Sequence, residues 1–352
     1  MKDDLLQFLA CPVCHADLRL QSPPRESQEI DRETLKCTSG CGSYPVEGGV
    51  PRLLPEHCKK TDRNPSDHQR ATGRRFGNQW RMFHYGGTTW GISTEERLKV
   101  VLHELAWREE DLAGKVLLDA GCGNGTLSAA LAERGAHVIA LDLSDSVVRA
   151  HQHYPGVSVH FVQGNLFYPP LRSRRFDAIY SCGVFHHTPS ARRCFDSLVR
   201  LLRNDCGSRY FVWLYSRRST LFNVTVEPLM KLTRRLPERI LVLLCLLSAP
   251  AVEAPSRLLK MVGLEADVRR TIRDRAIQLH DLLAPPFVWY HSFEEAREWA
   301  MEAGFHEIVQ TAYSVDEHAP DELGKVLGRY RRLSRPGFGM LCRRTGKEGE
   351  ST

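Results

Sequence analysis

Two cysteine pairs, Cys11-Pro12-Val13-Cys14 and Cys37-Thr38-Ser39-Gly40-Cys41, form a C-x2-C and a C-x3-C separated by 22 residues. Four thiolates at that spacing suit tetrahedral Zn²⁺, and Gly40 and Gly42 allow a tight turn around it. A second group begins where the apolar run Val116-Leu117-Leu118 meets Asp119-Ala120-Gly121-Cys122-Gly123-Asn124-Gly125, with a helix expected from Thr126. Glycines there let the backbone approach a ligand closely, and a helix N-terminus offers free amide donors. Dinucleotide-binding enzymes use a related glycine loop, but an acidic residue placed before the glycines, as Asp119 is, suits a cationic amino group instead. The next apolar run ends at Asp142, 17 residues beyond Gly125, where a carboxylate can accept from both hydroxyls of a ribose. Asn165 closes a third run and can read the edge of an adenine. A fourth run ends at Ser181-Cys182-Gly183-Val184-Phe185-His186-His187, bringing two imidazoles that titrate near neutrality and can serve as general base.

These residues need elements to hold them at strand ends. Val116–Leu118, Val138–Leu141, Val157–Val162, Phe176–Tyr180 and Tyr210–Leu214 each read as a strand, and Leu127–Arg134 and Ser146–His151 read as intervening helices. Such alternation predicts βαβ units and an α/β, doubly wound parallel sheet. The chain divides into a cysteine-bearing ribbon at 1–58, a polar linker at 59–75, a core at 76–215, a helical insertion at 216–290 and a segment at 291–345 that completes the sheet. Ser292-Phe293-Glu294-Glu295 has the form of a capping box opening a helix that Gly304 closes, with strands expected near 305–311 and 338–342. Trp80, Phe83, Tyr85 and Trp90 precede the core as a helix and loop that can close over a ligand.

Taken in order, Leu118-Asp119-Ala120-Gly121-Cys122-Gly123-Asn124-Gly125 and Gly183-Val184-Phe185-His186-His187 resemble the class I S-adenosylmethionine (SAM)-dependent methyltransferases, in particular a large bacterial group. The resemblance covers roughly 76–215, with a weaker echo at 281–343. It implies a seven-stranded Rossmann-like sheet and SAM as methyl donor. It further implies Asp119, Gly121, Gly123 and Gly125 on the methionine and ribose moieties, and Asp142 on the ribose. Asn165 stands where the group usually has Asp beside the adenine. The second histidine of the motif is the more regular, which favours His187 over His186 as the base. Asp281, Tyr290 and His291, around Leu282-Leu283-Ala284-Pro285-Pro286, resemble a short motif that lines the acceptor pocket. The run Tyr44-Pro45-Val46-Glu47-Gly48-Gly49-Val50-Pro51-Arg52-Leu53-Leu54 is similar to the small zinc-ribbon family that activates RNA and protein methyltransferases as a separate subunit.

Charge narrows the acceptor. The net charge is +6, yet residues 1–60 hold 8 basic against 9 acidic side chains, while 209–275 hold 13 against 6. A ribbon that is slightly acidic, and not basic, is poorly suited to gripping phosphates, so a small-molecule, lipid or glycan-linked acceptor ranks above RNA, and a non-catalytic SAM-binding scaffold ranks last. Eleven cysteines without a disulfide framework fit a reducing cytoplasm. Absence of a run of ~18 apolar residues predicts no membrane span, and Met1-Lys2-Asp3-Asp4-Leu5 lacks the apolar core of a secretory leader. Within the insertion, Ile240–Leu247 is apolar and flanked by arginines. It reads either as a cap helix buried on the core or as a segment lying on the inner, anionic face of a membrane. An eight-residue helix rises only ~12 Å, too short to span.

Overall fold

The computed structural model describes residues 1–22, 30–55, 65–82, 88–89, 92–264, 268–269, 271–311 and 337–344. The N-terminal part holds β1 (Leu18–Leu20), β2 (Arg32–Cys37), β3 (Ser43–Glu47) and β4 (Val50–Leu53). Helix α1 (Pro65–Met82), the short hairpin β5 (Thr88–Thr89) and β6 (Ile92–Ser93), and helix α2 (Thr94–Leu105) lead into the core. There follow β7 (Val116–Ala120), α3 (Thr126–Glu133), β8 (His137–Asp142), α4 (Ser146–His153), β9 (Val159–Gly164), β10 (Ala178–Cys182), α5 (Ala191–Val199) and β11 (Arg209–Tyr215). Three helices make the insertion, α6 (Thr220–Thr233), α7 (Glu238–Met261) and α8 (Ile272–Leu283), before α9 (Phe293–Glu302), β12 (Glu307–Gln310) and β13 (Gly337–Arg343).

Strands β9-β8-β7-β10-β11-β13-β12 form the expected seven-stranded sheet. The first five run parallel, and β13 enters antiparallel between β11 and β12. β7 and β9 are buried at every position, as strands must be when helices cover both faces of a sheet. Strand order reverses between β7 and β10, which opens a crevice at their C-terminal ends.

The ribbon is no separate bead. β4 pairs in parallel with β9 through Arg52↔Gln163 and Leu53↔Gly164, so β1–β4 extend the core sheet to eleven strands. Leu9 bridges to Leu171, and Leu5, Leu9, Leu35 and Leu53 share one apolar core with Val162, Leu171 and Phe176.

Three local expectations change. Residues 65–75, read as linker for their polarity, are the first part of α1; 59–64 lie outside the described residues. Only half of the capping box forms: the Ser292 hydroxyl accepts from the Glu295 amide, but the Glu295 carboxylate turns to His291 Nδ1 at 2.9 Å. Third, the apolar run 240–247 belongs to α7, a helix of 24 residues and ~36 Å. An 18-residue window of α7 has mean hydropathy 1.5, so by length and composition it is long and apolar enough to cross a membrane. Ser248, Pro250, Glu253 and Pro255 interrupt the apolar run without breaking the helix.

Candidate active site and cysteine cluster

A cleft of about 660 Å³ opens at the C-terminal ends of β7–β11, lined by Asp119, Gly121, Gly123, Asp142, Asn165 and His187 among others. Gly123 has φ +58 and Gly125 φ +74, backbone that favours glycine. Space demands it as well: a Cβ on Gly123 would lie 2.4 Å from the Trp80 ring, and one on Gly125 2.4 Å from Phe161. The loop is thus pressed flat between α1 and β9.

Both acids are held by their neighbours. Asp142 Oδ2 accepts from the Gly123 amide at 3.0 Å, and Oδ1 accepts from the Ser144 amide and hydroxyl at 2.8 and 2.7 Å. Asp119 Oδ2 accepts from the Ser128 hydroxyl at 2.6 Å. Burial pushes the Asp119 carboxyl up to about 6 and raises Asp142 as well, against the hydrogen bonds that favour their charged forms. A buried and a half-buried acid in one cleft suit a ligand that brings hydroxyls and a positive charge. Asn165 spends its Oδ1 on the Phe167 amide at 2.9 Å, which presents the side chain in a fixed orientation.

The two histidines part company. His187 lines the cleft, with its Nδ1 3.1 Å from the Phe287 carbonyl oxygen. A carbonyl only accepts, so Nδ1 carries the proton and Nε2 keeps a lone pair. Burial lowers its pKa, partly offset by Asp281, and so keeps the ring neutral at pH 7. His186 packs against Tyr215 at 4.0 Å and Trp213 at 5.6 Å between ring centroids, and is not among the lining residues. Of the three acceptor-side candidates, Asp281 lines the cleft and accepts from the Tyr215 hydroxyl at 3.2 Å. Tyr290 stacks behind Tyr215, and His291 is tied to Glu295 and packed edge-on against Trp299; neither belongs to the lining.

The cleft is also lined by Tyr180, Trp213, Tyr215, Arg218 and Phe222, which the sequence did not single out. Trp213 and Tyr215 are two apart on β11, so period-two alternation was the available signal. The Arg218 guanidinium sits over the rings of Tyr215, Phe222 and Tyr290 at 5.4, 4.9 and 5.5 Å. From the insertion come Val252, Arg269, Arg275, Gln278 and Leu279. Trp80 lines the cleft; Phe83, Tyr85 and Trp90 lie outside the described residues.

In the ribbon, the ligand atoms of Cys11, Cys14, Cys37 and Cys41 all lie within 4.8 Å of one another. Two hydrogen-bonded knuckles bring them there: His15 N–H to Cys11 O at 2.9 Å, and Gly40 N–H to Cys37 O at 3.1 Å, with Gly40 at φ +75. Beside the other thiols Cys41 is pushed up to about 12, since crowded thiolates repel unless a cation joins them. Four sulfurs at this separation fit tetrahedral Zn²⁺, whose Zn–S bonds are ~2.3 Å.

Residues 118–206 match the protein-family model for a methyltransferase domain, and residues 2–49 that for Trm112p-like protein. A ubiquinone biosynthesis O-methyltransferase of Xylella fastidiosa (strain 9a5c) is 34% identical over 131 residues, covering 36% of this chain and 52% of the relative. Its counterpart in Azotobacter vinelandii is 33% identical over 150 residues, covering 38% and 63%. The chain therefore spans between about half and three-fifths of the length of these curated relatives. Among solved structures, magnesium protoporphyrin IX methyltransferase of Synechocystis is similar at 16% identity and TM-score 0.45, covering 80% of this chain and all of that one. The 1,6-didemethyltoxoflavin-N1-methyltransferase of Burkholderia thailandensis is similar at 14% identity and TM-score 0.43, covering 92% and 100%. The chain thus carries, in one polypeptide, a segment matching a methyltransferase domain and a Trm112p-like segment whose four cysteines are placed to hold a zinc ion.

Proposed function

We propose that this protein transfers the methyl group of SAM to a hydroxyl oxygen of a small acceptor with an aromatic or apolar body, free or carried on a lipid or glycan. One observation carries the reading: His187 turns a neutral ring, protonated on Nδ1, into the cleft that also holds the glycine loop and both acids. SAM, when bound, supplies an electrophilic methyl on a sulfonium. Asp119 and the loop amides receive the methionine end, Asp142 the ribose hydroxyls, and Asn165 the adenine. Trp213, Tyr215 and Phe222 seat the acceptor body, Arg218 and Asp281 orient its polar edge, and His187 Nε2 takes the proton released as the hydroxyl attacks. The names of the O-methyltransferase relatives agree with a hydroxyl acceptor, and the helical roof over the aromatic half favours a compact substrate over folded RNA.

The test is to incubate purified protein and radiolabelled SAM with separated aqueous, lipid and RNA fractions of a bacterial extract. Label is expected in a small-molecule or lipid fraction, and label confined to RNA would overturn the acceptor class. With the acceptor in hand, His187→Gln should cut kcat roughly 10²–10³-fold while SAM affinity stays unchanged. An unaltered kcat would remove His187 as the base.

A further inference from the structure

Helix α7 turns two very different sides to its surroundings. Leu241, Val242, Cys245 and Ala249 pack against Ala276, Ile277 and Ala284 of the α8 region. On the opposite side, Leu243, Leu247, Pro250, Ala254, Leu258 and Met261 follow one another at helical spacing, and all are exposed. Leu247 is 68% and Met261 76% exposed, with Ile240, Leu244 and Leu246 alongside them. From Ile240 to Ser256 the one charged residue is Glu253, and it is 1% exposed, bonded to Arg275 Nε at 2.7 Å and Arg257 Nε at 3.0 Å. The solvent side of those turns is therefore uncharged. Val224, Leu229 and Leu232 of α6 are exposed as well. A soluble surface seldom leaves so much apolar area together.

Around the patch the charge is basic. Residues 216–264 hold 8 Lys and Arg against 3 Glu; Arg235 and Arg239 are exposed near the N-terminal end of α7 and Lys260 at its C-terminal end, while Lys231 of α6 pairs with Glu227 at 3.1 Å. Arg234, in contrast, is half-buried, its carbonyl accepting from the Arg75 guanidinium. An uncharged apolar strip with cations at both ends complements an anionic bilayer, with leucines below the head groups and cations among them. The buried Glu253 ion pairs and the seam with α8 keep α7 lying flat, since a spanning helix would have to abandon both. Val252, on the α8 side of the helix, lines the cleft, so α7 turns one side to the cleft and the other to solvent.

We propose that the outer face of α6 and α7 docks, in the plane of the interface, on an anionic phospholipid membrane. Vesicles of phosphatidylglycerol and phosphatidylcholine, and of phosphatidylcholine alone, test this by co-sedimentation of the full chain without SAM or acceptor. Failure there leaves the methyl-transfer reading untouched. The protein should sediment with anionic vesicles at low salt, several-fold less with neutral ones, and release as ionic strength rises. Leu243→Glu with Leu247→Glu should lower vesicle affinity at least tenfold while SAM affinity is kept, and Arg235→Gln with Arg239→Gln should remove the preference for anionic lipid. A photoactivatable group in the acyl chains keeps the proposal testable should the glutamate variant misfold, for it should label wild-type Leu243, Leu247 and Leu258 and spare Leu241 and Cys245. No sedimentation with anionic vesicles, or a concentration-dependent dimer that the glutamates dissociate while vesicle binding is absent, would overturn it.

Discussion

On the floor of the cleft, Asp119 and Asp142 end neighbouring strands buried on both faces, and hydrogen bonds from Ser128, Gly123 and Ser144 hold them. On its roof, Arg269 and Arg275 come from the insertion and meet at one buried carboxylate, Glu253, which accepts from the Arg269 amide at 3.0 Å and from Arg275 Nε at 2.7 Å. The floor is made by short-range contacts around a glycine loop; the roof is made by helices that touch only after the chain has folded. Loops of the first kind leave a sequence signature because few residue types satisfy them. Roofs of the second kind leave amphipathic helices that fit many arrangements, and so they are free to differ with the acceptor.

The largest expected effect probes how far the floor depends on its surroundings. Because β4 pairs with β9 and the ribbon shares the core, Cys37→Ser or chelation of zinc should lower the melting temperature of the whole chain, not of the ribbon alone. A loss of several kcal/mol would shift a single calorimetric transition by on the order of 10 °C. Two separate transitions, the later one unmoved, would show instead that ribbon and core fold independently.

A smaller effect separates floor from roof. Glu253→Gln takes the shared carboxylate from Arg257 and Arg275 and should cost roughly 3–5 kcal/mol, seen as early melting of the insertion by hydrogen exchange. SAM affinity should stay within about twofold while KM for the acceptor rises. Loss of SAM binding in this variant would erase the distinction between the two walls.

That distinction also explains what was legible in the sequence. The five parallel strands, two of them shifted by two residues, the glycine loop and the cysteine knuckles follow from local spacing, and both acids stand at strand ends. Register between distant segments was not legible: nothing in Val50-Pro51-Arg52-Leu53 announces β9 as its partner. Nor did spacing separate His186 from His187, which differ through the Phe287 carbonyl a hundred residues away. His291 and Tyr290 read as acceptor residues, yet the Ser216↔His291 bridge and the stack on Tyr215 turn them to support the aromatic wall from behind. Composition misled at α7, where a broken apolar run concealed an unbroken helix.

The most direct measurement is calorimetric titration of SAM into the purified chain across pH 5 to 8. Burial holds the Asp119 carboxyl up at about 6 in the free protein, and a cationic ligand needs it ionised. Affinity should therefore be constant above about pH 6.5 and fall as pH drops through 6, by up to tenfold per unit, with a proton released on binding. Asp142→Ala should weaken binding by about 2–3 kcal/mol, roughly 30- to 150-fold, for loss of a charged acceptor to the ribose. One saturable site with both behaviours is the result predicted here. Absence of saturable heat, or equal affinity for wild type and Asp142→Ala, would contradict the assignment of this cleft to SAM.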